Sequence, residues 1–384
     1  MKDLKIAMKA HLKSNNASWQ YLKKNKSNIF FNNPVGYIYQ KKFSTTLFLN
    51  GKKFHFKNKN IFEVRKMKLK EFVLIGYFSY EFNIEPSTAP YKAIFNIYPS
   101  GNFSIKRFPK IKKLKSNRLN KILPDISFIN SVKKIKQHIA SGDIYQINLT
   151  RDFEYETSQP SYDLFVNYYK SQPVDLASYI EFHDHILISG SMELFLSKRG
   201  KDLLSKPIKG TRKNSQSRVK DSLSKDVKEK AENLMIVDLM RNDLSQICQT
   251  GTVKAKKMFK ERSYATLTQL ESTVEGKLKK NVTLQSIFEK LMPPGSVTGT
   301  PKSEAIKIIG EMEKHYRGPY CGAIGIIEPN DDFCFSVGIR ISVLTTKNKK
   351  YFSGAGIVWD SKPKKENKET LLKAEAFQNT LSNL

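Results

Sequence analysis

Two pairs of glutamates stand out in a chain whose formal net charge is +30. Glu229 and Glu232 are three residues apart in "KDVKEKAENLMIVDLMRND", so on a helix they share a face. Glu366 and Glu369 repeat the spacing in "ENKETLLKAEAFQNTL", with Lys373 one turn further along the same side. Carboxylates converging from two helices suit Mg2+, which takes few protein oxygens and keeps positions open for water or substrate. The competing reading is ordinary pairing with the abundant surface lysines. Arg340, in "FCFSVGIRISV", lies among small residues on the face opposite Phe335, Val337, Ile339, Ile341 and Val343. There it is either a clamp for a carboxylate or phosphate, or one half of a salt bridge. "SGAGIV" would let backbone amides approach an anion, although a tight bend explains it equally well. In "PIKGTR", Lys209 stands before a Gly-Thr turn. The plain reading of that amine is solvent, as for most lysines here.

These groups need helices and strands to carry them. "SFINSVKKIKQHIASGD" has apolar Ile129, Val132, Ile135 and Ile139 on one side and predicts an amphipathic helix stopped at Gly142. "IYQINLTRDFEYE", "DHILISGSMELFLS", "CGAIGIIE", "FCFSVGIRISVLTT" and "YFSGAGIVWD" predict strands. "PPGSVTGTPKSEAIKIIGEMEK" predicts a loop and a helix with Thr300 as N-cap and Pro301 first in the helix. That loop lacks the spacing of a phosphate-binding P-loop, and the histidines form no metal-ligand spacing. Strands bunched between helices without a βαβ rhythm indicate an α+β fold. The basic stretch "RFPKIKKLKSNRLNKILPD" divides an N-terminal region, 1–122, that contributes strands from a catalytic region, 123–384.

Composition narrows the class. Hydrophobic residues make up 39% of the 384, enough for a large core, and the length suits roughly two or three domains of about 150 residues. No apolar run reaches the ~18 residues of a membrane helix, and the N-terminus lacks the apolar stretch of a signal peptide. Three cysteines without metal spacing fit a reducing compartment, so a cytoplasmic location is expected. The basic charge invites a nucleic-acid-binding reading, but lysine outweighs arginine and is spread along the chain, often beside asparagine. We therefore expect neither nucleic acid nor membrane as a partner. A positive field would also concentrate a small anionic substrate.

In this order, "SGDIYQINLT", "PIKGTR", "AENLMIVDLMRNDL", "PPGSVTGTPKSEAIKII", "YCGAIGII", "VGIRI", "GAGIVWDS" and a Glu-x-x-Glu-Thr element resemble the chorismate-utilising enzymes. That family includes anthranilate, aminodeoxychorismate, isochorismate and salicylate synthases. The resemblance spans roughly residues 125 to 378, with a weaker echo in "GYFSYEF" at 76–82. It implies two large antiparallel sheets packed together with helices outside, binding chorismate and Mg2+. Carried over by position, Glu232, Glu366 and Glu369 would ligate Mg2+, with Glu229 close behind. Gly210, Thr211, Thr298, Tyr320, Arg340, Gly354, Ala355, Gly356 and Lys373 would hold the substrate's carboxylates.

Within the family, two positions separate the chemistries. Isochorismate and salicylate synthases carry a water-activating lysine where this chain has Gln146, and a neutral amide cannot act as a base. The expected nucleophile is then ammonia. Enzymes similar to anthranilate synthase usually read Pro-Ile-Ala-Gly-Thr, whereas the aminodeoxychorismate synthases read Pro-Ile-Lys-Gly-Thr, as here, with the lysine as covalent nucleophile. The resemblance therefore implies component I of an aminodeoxychorismate synthase, of the transaminase class, on the route to p-aminobenzoate and folate. Glu193 matches the family's general acid. Met192 replaces the usual proline before it, and Thr268-Gln269-Leu270 stands where relatives carry a histidine. No signature of a tryptophan-inhibition pocket is present. No nucleophilic-cysteine elbow is present either, so a separate glutamine amidotransferase subunit is expected to supply ammonia. Anthranilate synthase component I and a basic nucleic-acid-binding protein are the alternatives.

Overall fold

The computed structural model describes residues 17–19, 28–106, 125–213, 222–264 and 267–382. The basic stretch read as a boundary, and the division at 122/123, fall outside the described residues, as does the side chain of Thr211. Among the described residues there are seven α-helices: α1 (Ile61–Lys68), α2 (Ile126–Ala140), α3 (Ser161–Ser171), α4 (Val227–Ser245), α5 (Leu284–Leu291), α6 (Lys302–Met312) and α7 (Pro363–Ser382). Among the described residues, no helix is long and apolar enough to cross a membrane.

Among the described residues the strands form two large antiparallel sheets, of twelve and seven strands, and one small pair. The α+β expectation, with two packed sheets and helices outside, is what the chain adopts. The larger sheet is continuous across the N-terminal and catalytic parts of the chain, because Phe72–Phe78 pairs with Ala323–Ile327. "GYFSYEF" completes this seam: its buried Glu81 accepts the backbone N–H groups of Arg317 and Gly318 at 2.6 and 3.0 Å. One apolar core runs beneath both sheets. Its aromatic centre includes Phe78, Phe288 and Phe335, with ring centroids 4.2 to 5.5 Å apart. Burial of side chains this large dominates the stability of such a fold.

Two segments expected as single strands each change sheet midway. His185–Ser191 lies in the smaller sheet and Leu194–Arg199 in the larger, with Met192 and Glu193 between. Phe333–Val337 lies in the larger sheet and Ile341–Thr345 in the smaller, with Gly338, Ile339 and Arg340 between. The predicted unbroken alternation through Arg340 is therefore corrected: Arg340 takes a left-handed φ of 56° and ends the register. The two crossings are tied together, since Gly190 N–H donates to Arg340 O at 2.9 Å and Val337 N–H to Glu193 O at 3.0 Å. A side chain at Gly338 would meet the Pro319 carbonyl oxygen at 2.0 Å, so only glycine fits there.

The helix expectations hold with one shift. α2 ends at Ala140 with Gly142 at φ 81°, as predicted. α6 begins at Lys302 with Pro301, not Thr300, in the cap position. Thr300 is instead paired in the smaller sheet opposite Gln146, which fixes it in extended conformation.

Candidate active site

A cavity of about 960 Å3 opens between the strand crossings and the faces of α4 and α7. Its lining includes Glu193, Lys209, Gly210, Glu229, Glu232, Tyr320, Arg340, Gly354, Gly356, Glu366, Glu369 and Lys373. Residues more than 170 positions apart in sequence thus converge on one volume. Three of the sequence-derived candidates stand apart. Ala355 is fully buried on the opposite face of its strand from Gly354 and Gly356. Thr298 is also fully buried, its hydroxyl donating to the Pro294 carbonyl at 2.8 Å, where it closes a turn. Thr211 contributes a backbone position opposite Gln269.

Lys209 is aimed by a bulge. Its strand, Ile208–Lys213, pairs with Leu267–Lys277, and the register slips between Lys209 and Thr211. Gly210 takes up the slip at φ 75°, a conformation open to glycine at little cost. A Cβ added there would lie 2.7 Å from Glu229 Oε2, so the strand and α4 are in contact at this point. The amine reaches the glycine-rich strand: a side chain at Gly356 would meet Lys209 Nζ at 3.3 Å and Gln146 Nε2 at 3.4 Å. Burial lowers the Lys209 amine from its ordinary range, with Lys373 reinforcing the shift and Glu232, Glu193 and Glu369 opposing it.

Glu193 sits at the first crossing and is 5% exposed. Burial pushes its carboxyl up to about 7, against the stabilising Ser296 hydroxyl, the Lys209 charge and the Ile208 N–H. It is therefore a carboxyl that can hold and release a proton near neutral pH. Arg340, at the second crossing, donates through Nη1 to the Lys373 carbonyl, fixing the guanidinium between strand and helix. Tyr320 stacks on Phe352 with centroids 5.4 Å apart, and burial holds its phenol well above the usual range, so it is a neutral donor.

The opposite wall is acidic. Asp226 caps α4 by accepting from the N–H groups of Lys228 and Glu229, which presents Glu229 and Glu232 in the first two turns. Burial and then the charge of Glu232 raise the Glu229 carboxyl. Burial likewise raises Glu366, with Glu369 adding to it. Lys373, 2.6 Å from Glu369, draws that carboxyl below its usual range and also donates to Gly354 O at 2.9 Å. Lys228 lies 3.9 Å from Glu232. Among the described residues, no three acidic, histidine or cysteine side chains stand close enough to form a ready-made metal cage.

Sequence reasoning missed Ser296, whose hydroxyl serves Glu193, and Asn148, which lines the cavity. Neither carries a signal of its own; each is placed by a neighbour, Ser296 by a short helical turn and Asn148 by pairing with Gly356. Gln269, in the Thr268-Gln269-Leu270 stretch that stands where relatives carry a histidine, does line the cavity.

The sequence matches the chorismate binding enzyme family over residues 105–379. It is 37% identical over 259 residues to aminodeoxychorismate synthase component 1 of Bacillus subtilis, covering 66% of this chain and 55% of that protein. It is 34% identical over 260 residues to anthranilate synthase component 1 of Saccharolobus solfataricus, covering 66% of this chain and 62% of that protein. Each match thus spans only part of its relative's length. The crystal structure of anthranilate synthase component I from Streptococcus pneumoniae TIGR4 superposes with a TM-score of 0.78 at 24% identity, covering 96% of this chain and 94% of the other. That likeness is one of fold.

Proposed function

Because this chain belongs to the chorismate binding enzyme family, we propose that it joins ammonia to chorismate to form 4-amino-4-deoxychorismate, as component I of an aminodeoxychorismate synthase. The observation that carries this reading is Lys209, its amine lowered by burial and turned toward Gly356 in the large cavity.

A neutral Lys209 amine attacks C2 of the substrate's diene, the double bonds shift, and the C4–oxygen bond breaks. Glu193 donates a proton to the departing oxygen, which leaves as water. Ammonia then bonds to C4, the double bonds shift back, and the C2–nitrogen bond to Lys209 breaks. The new ammonium gives up one proton, restoring Glu193. Nitrogen ends at C4 with the ring pattern unchanged, and Lys209 is regenerated as the neutral amine. Gln146, beside Lys209, offers no base to activate water.

Arg340, Lys373 and the Tyr320 hydroxyl line the cavity as partners for the substrate's carboxylates. Glu232, Glu366 and Glu369 line the same cavity and fit Mg2+ in chemistry: hard oxygen donors that leave room for water and substrate oxygens. When bound, Mg2+ would offset the repulsion among these carboxylates and give a substrate carboxylate a cationic partner. A separate glutamine amidotransferase would supply the ammonia, and the product would feed p-aminobenzoate and folate synthesis in the cytoplasm.

The test is to incubate the full chain with chorismate, Mg2+ and an ammonium salt and to identify the product by mass and ultraviolet spectrum. Aminodeoxychorismate from the wild type, lost in Lys209→Ala, supports the reading. Fluorescent anthranilate from the wild type would overturn it and make Lys209 a bystander.

A further inference from the structure

A second cavity, of about 230 Å3, lies farther along the strand Leu267–Lys277 from Gln269. It is lined by Lys206, Lys257, Lys260, Arg262, Glu271 and Thr273. Three strands converge on it: Lys206 ends Asp202–Lys206, Lys257, Lys260 and Arg262 come from Lys254–Ser263, and Glu271 and Thr273 from Leu267–Lys277.

The charges do not balance. Among the described residues Glu271 is the one acid in the lining, and Arg262 already engages it at 2.7 Å while also pairing with Asp175. Among the described residues, Lys206, Lys257 and Lys260 make no ion pair. Lys206, Lys257 and Lys260 therefore line a concave space whose one carboxylate, among the described residues, is already paired with Arg262. Like charges brought together without a counter-ion repel each other, and a multivalent anion relieves that repulsion.

The lysines are also held there by the backbone. Lys256 pairs with Thr273 and Lys260 with Glu271, so Lys257, Met258 and Phe259 stand against Ser272 alone. Lys257 and Phe259 both adopt left-handed φ, 49° and 55°. The bulge is pinned: Phe259 N–H donates to Ser272 Oγ at 3.0 Å, and Ser272 Oγ donates to Asn233 Oδ1 of α4 at 2.5 Å. Lys257 and Lys260 are themselves exposed, open to an anion from solvent, and the pinned bulge fixes the backbone from which they line the cavity.

We infer that this cavity is an anion-binding site for a small phosphate-class dianion, separate from the large cavity and independent of the reaction proposed for it. Its volume is about a quarter of the large cavity's. It suits one tetrahedral oxyanion and its waters, with lysines acting as mobile point charges.

The thermal midpoint of the full chain, without Mg2+, would be followed as inorganic phosphate is added, against sodium chloride at equal ionic strength. Phosphate about tenfold above its dissociation constant should raise the midpoint by about 2 °C or more beyond chloride. Lys257→Gln/Lys260→Gln should lose that excess. Lys52→Gln/Lys68→Gln, exposed lysines elsewhere, should keep it. Lys206→Gln alone should weaken it, giving a second handle should the double variant fold poorly. An equal rise in chloride would overturn the site. So would an excess that survives in Lys257→Gln/Lys260→Gln but disappears in Arg340→Ala, because phosphate would then occupy the large cavity.

Discussion

The two walls of the large cavity are built differently. On the strand side, Glu193 and Arg340 are 5% and 8% exposed and sit where strands leave one sheet for the other, each held by backbone bonds to the opposite crossing. On the helix side, the Glu232 and Glu369 side chains are 25% and 45% exposed and answer mainly to lysines on their own helices. The strand wall takes its electrostatics from burial, which moves Glu193 and Lys209 toward neutrality. On the helix wall burial raises Glu229 and Glu366 too, but at Glu369 the neighbouring Lys373 charge leads, and a cation or substrate can rearrange that pairing. A pre-set wall suits proton transfer and covalent attack, and an adjustable one suits gripping an ion and an anion together.

The difference predicts which measurement each wall should move. Glu193→Gln should lower kcat by roughly 10^2–10^4-fold, the usual worth of a positioned general acid. The wild-type rate should also fall as pH rises through about 7, because the carboxyl whose pKa is raised by burial then loses the proton it must donate. In Glu193→Gln that alkaline decline should be absent from the residual rate. A decline that persists unchanged would assign the limb to another group. Arg340→Lys keeps a cation at the same left-handed position but removes the guanidinium fork that also binds the Lys373 carbonyl. It should cost on the order of a hundredfold in kcat/KM for chorismate. A loss below about threefold would mean that Arg340 serves only to join strand and helix.

The helix wall should respond in affinity. Glu232→Gln or Glu369→Gln should weaken Mg2+ by roughly 10–100-fold, read directly as Mn2+ binding by electron paramagnetic resonance, with much of kcat restored at saturating metal. If metal affinity is unchanged while kcat collapses, these carboxylates belong with the pre-set wall and the contrast fails.

The same contrast explains what the sequence could reveal. The helix wall was legible because a spacing of three on a helix means a shared face, and both glutamate pairs and Lys373 do face the cavity. Lys209 was legible as a candidate through its Gly-Thr neighbours. The crossings were not. "FCFSVGIRISVLTT" is buried on both sides of Arg340, so its apolar alternation continues while the strand changes sheets. Gly338 was the sole local hint. Thr300 looked like a helix cap because capping chemistry is local, whereas its pairing with Gln146 joins segments far apart in sequence. Thr298 and Ala355 were drawn in by adjacent motif residues, and strand parity or a turn bond turned them inward.

The smallest effect is expected where the two walls touch. Gly210 holds φ 75° on the strand, and a Cβ there would lie 2.7 Å from Glu229 Oε2 on α4. Gly210→Ala therefore meets two penalties, left-handed strain in the backbone and a clash with a carboxylate, together on the order of 1–3 kcal/mol. At this chain length that is a midpoint drop of a few degrees. The terms separate in a double-mutant cycle with Glu229→Ala, because truncating the glutamate removes the clash and leaves the strain. Recovery of part of the lost stability in Gly210→Ala/Glu229→Ala would show that strand and helix press on each other at this seam. Strict additivity would show that the helix wall yields to the added methyl, which is how an adjustable wall should behave even at its point of contact with the fixed one.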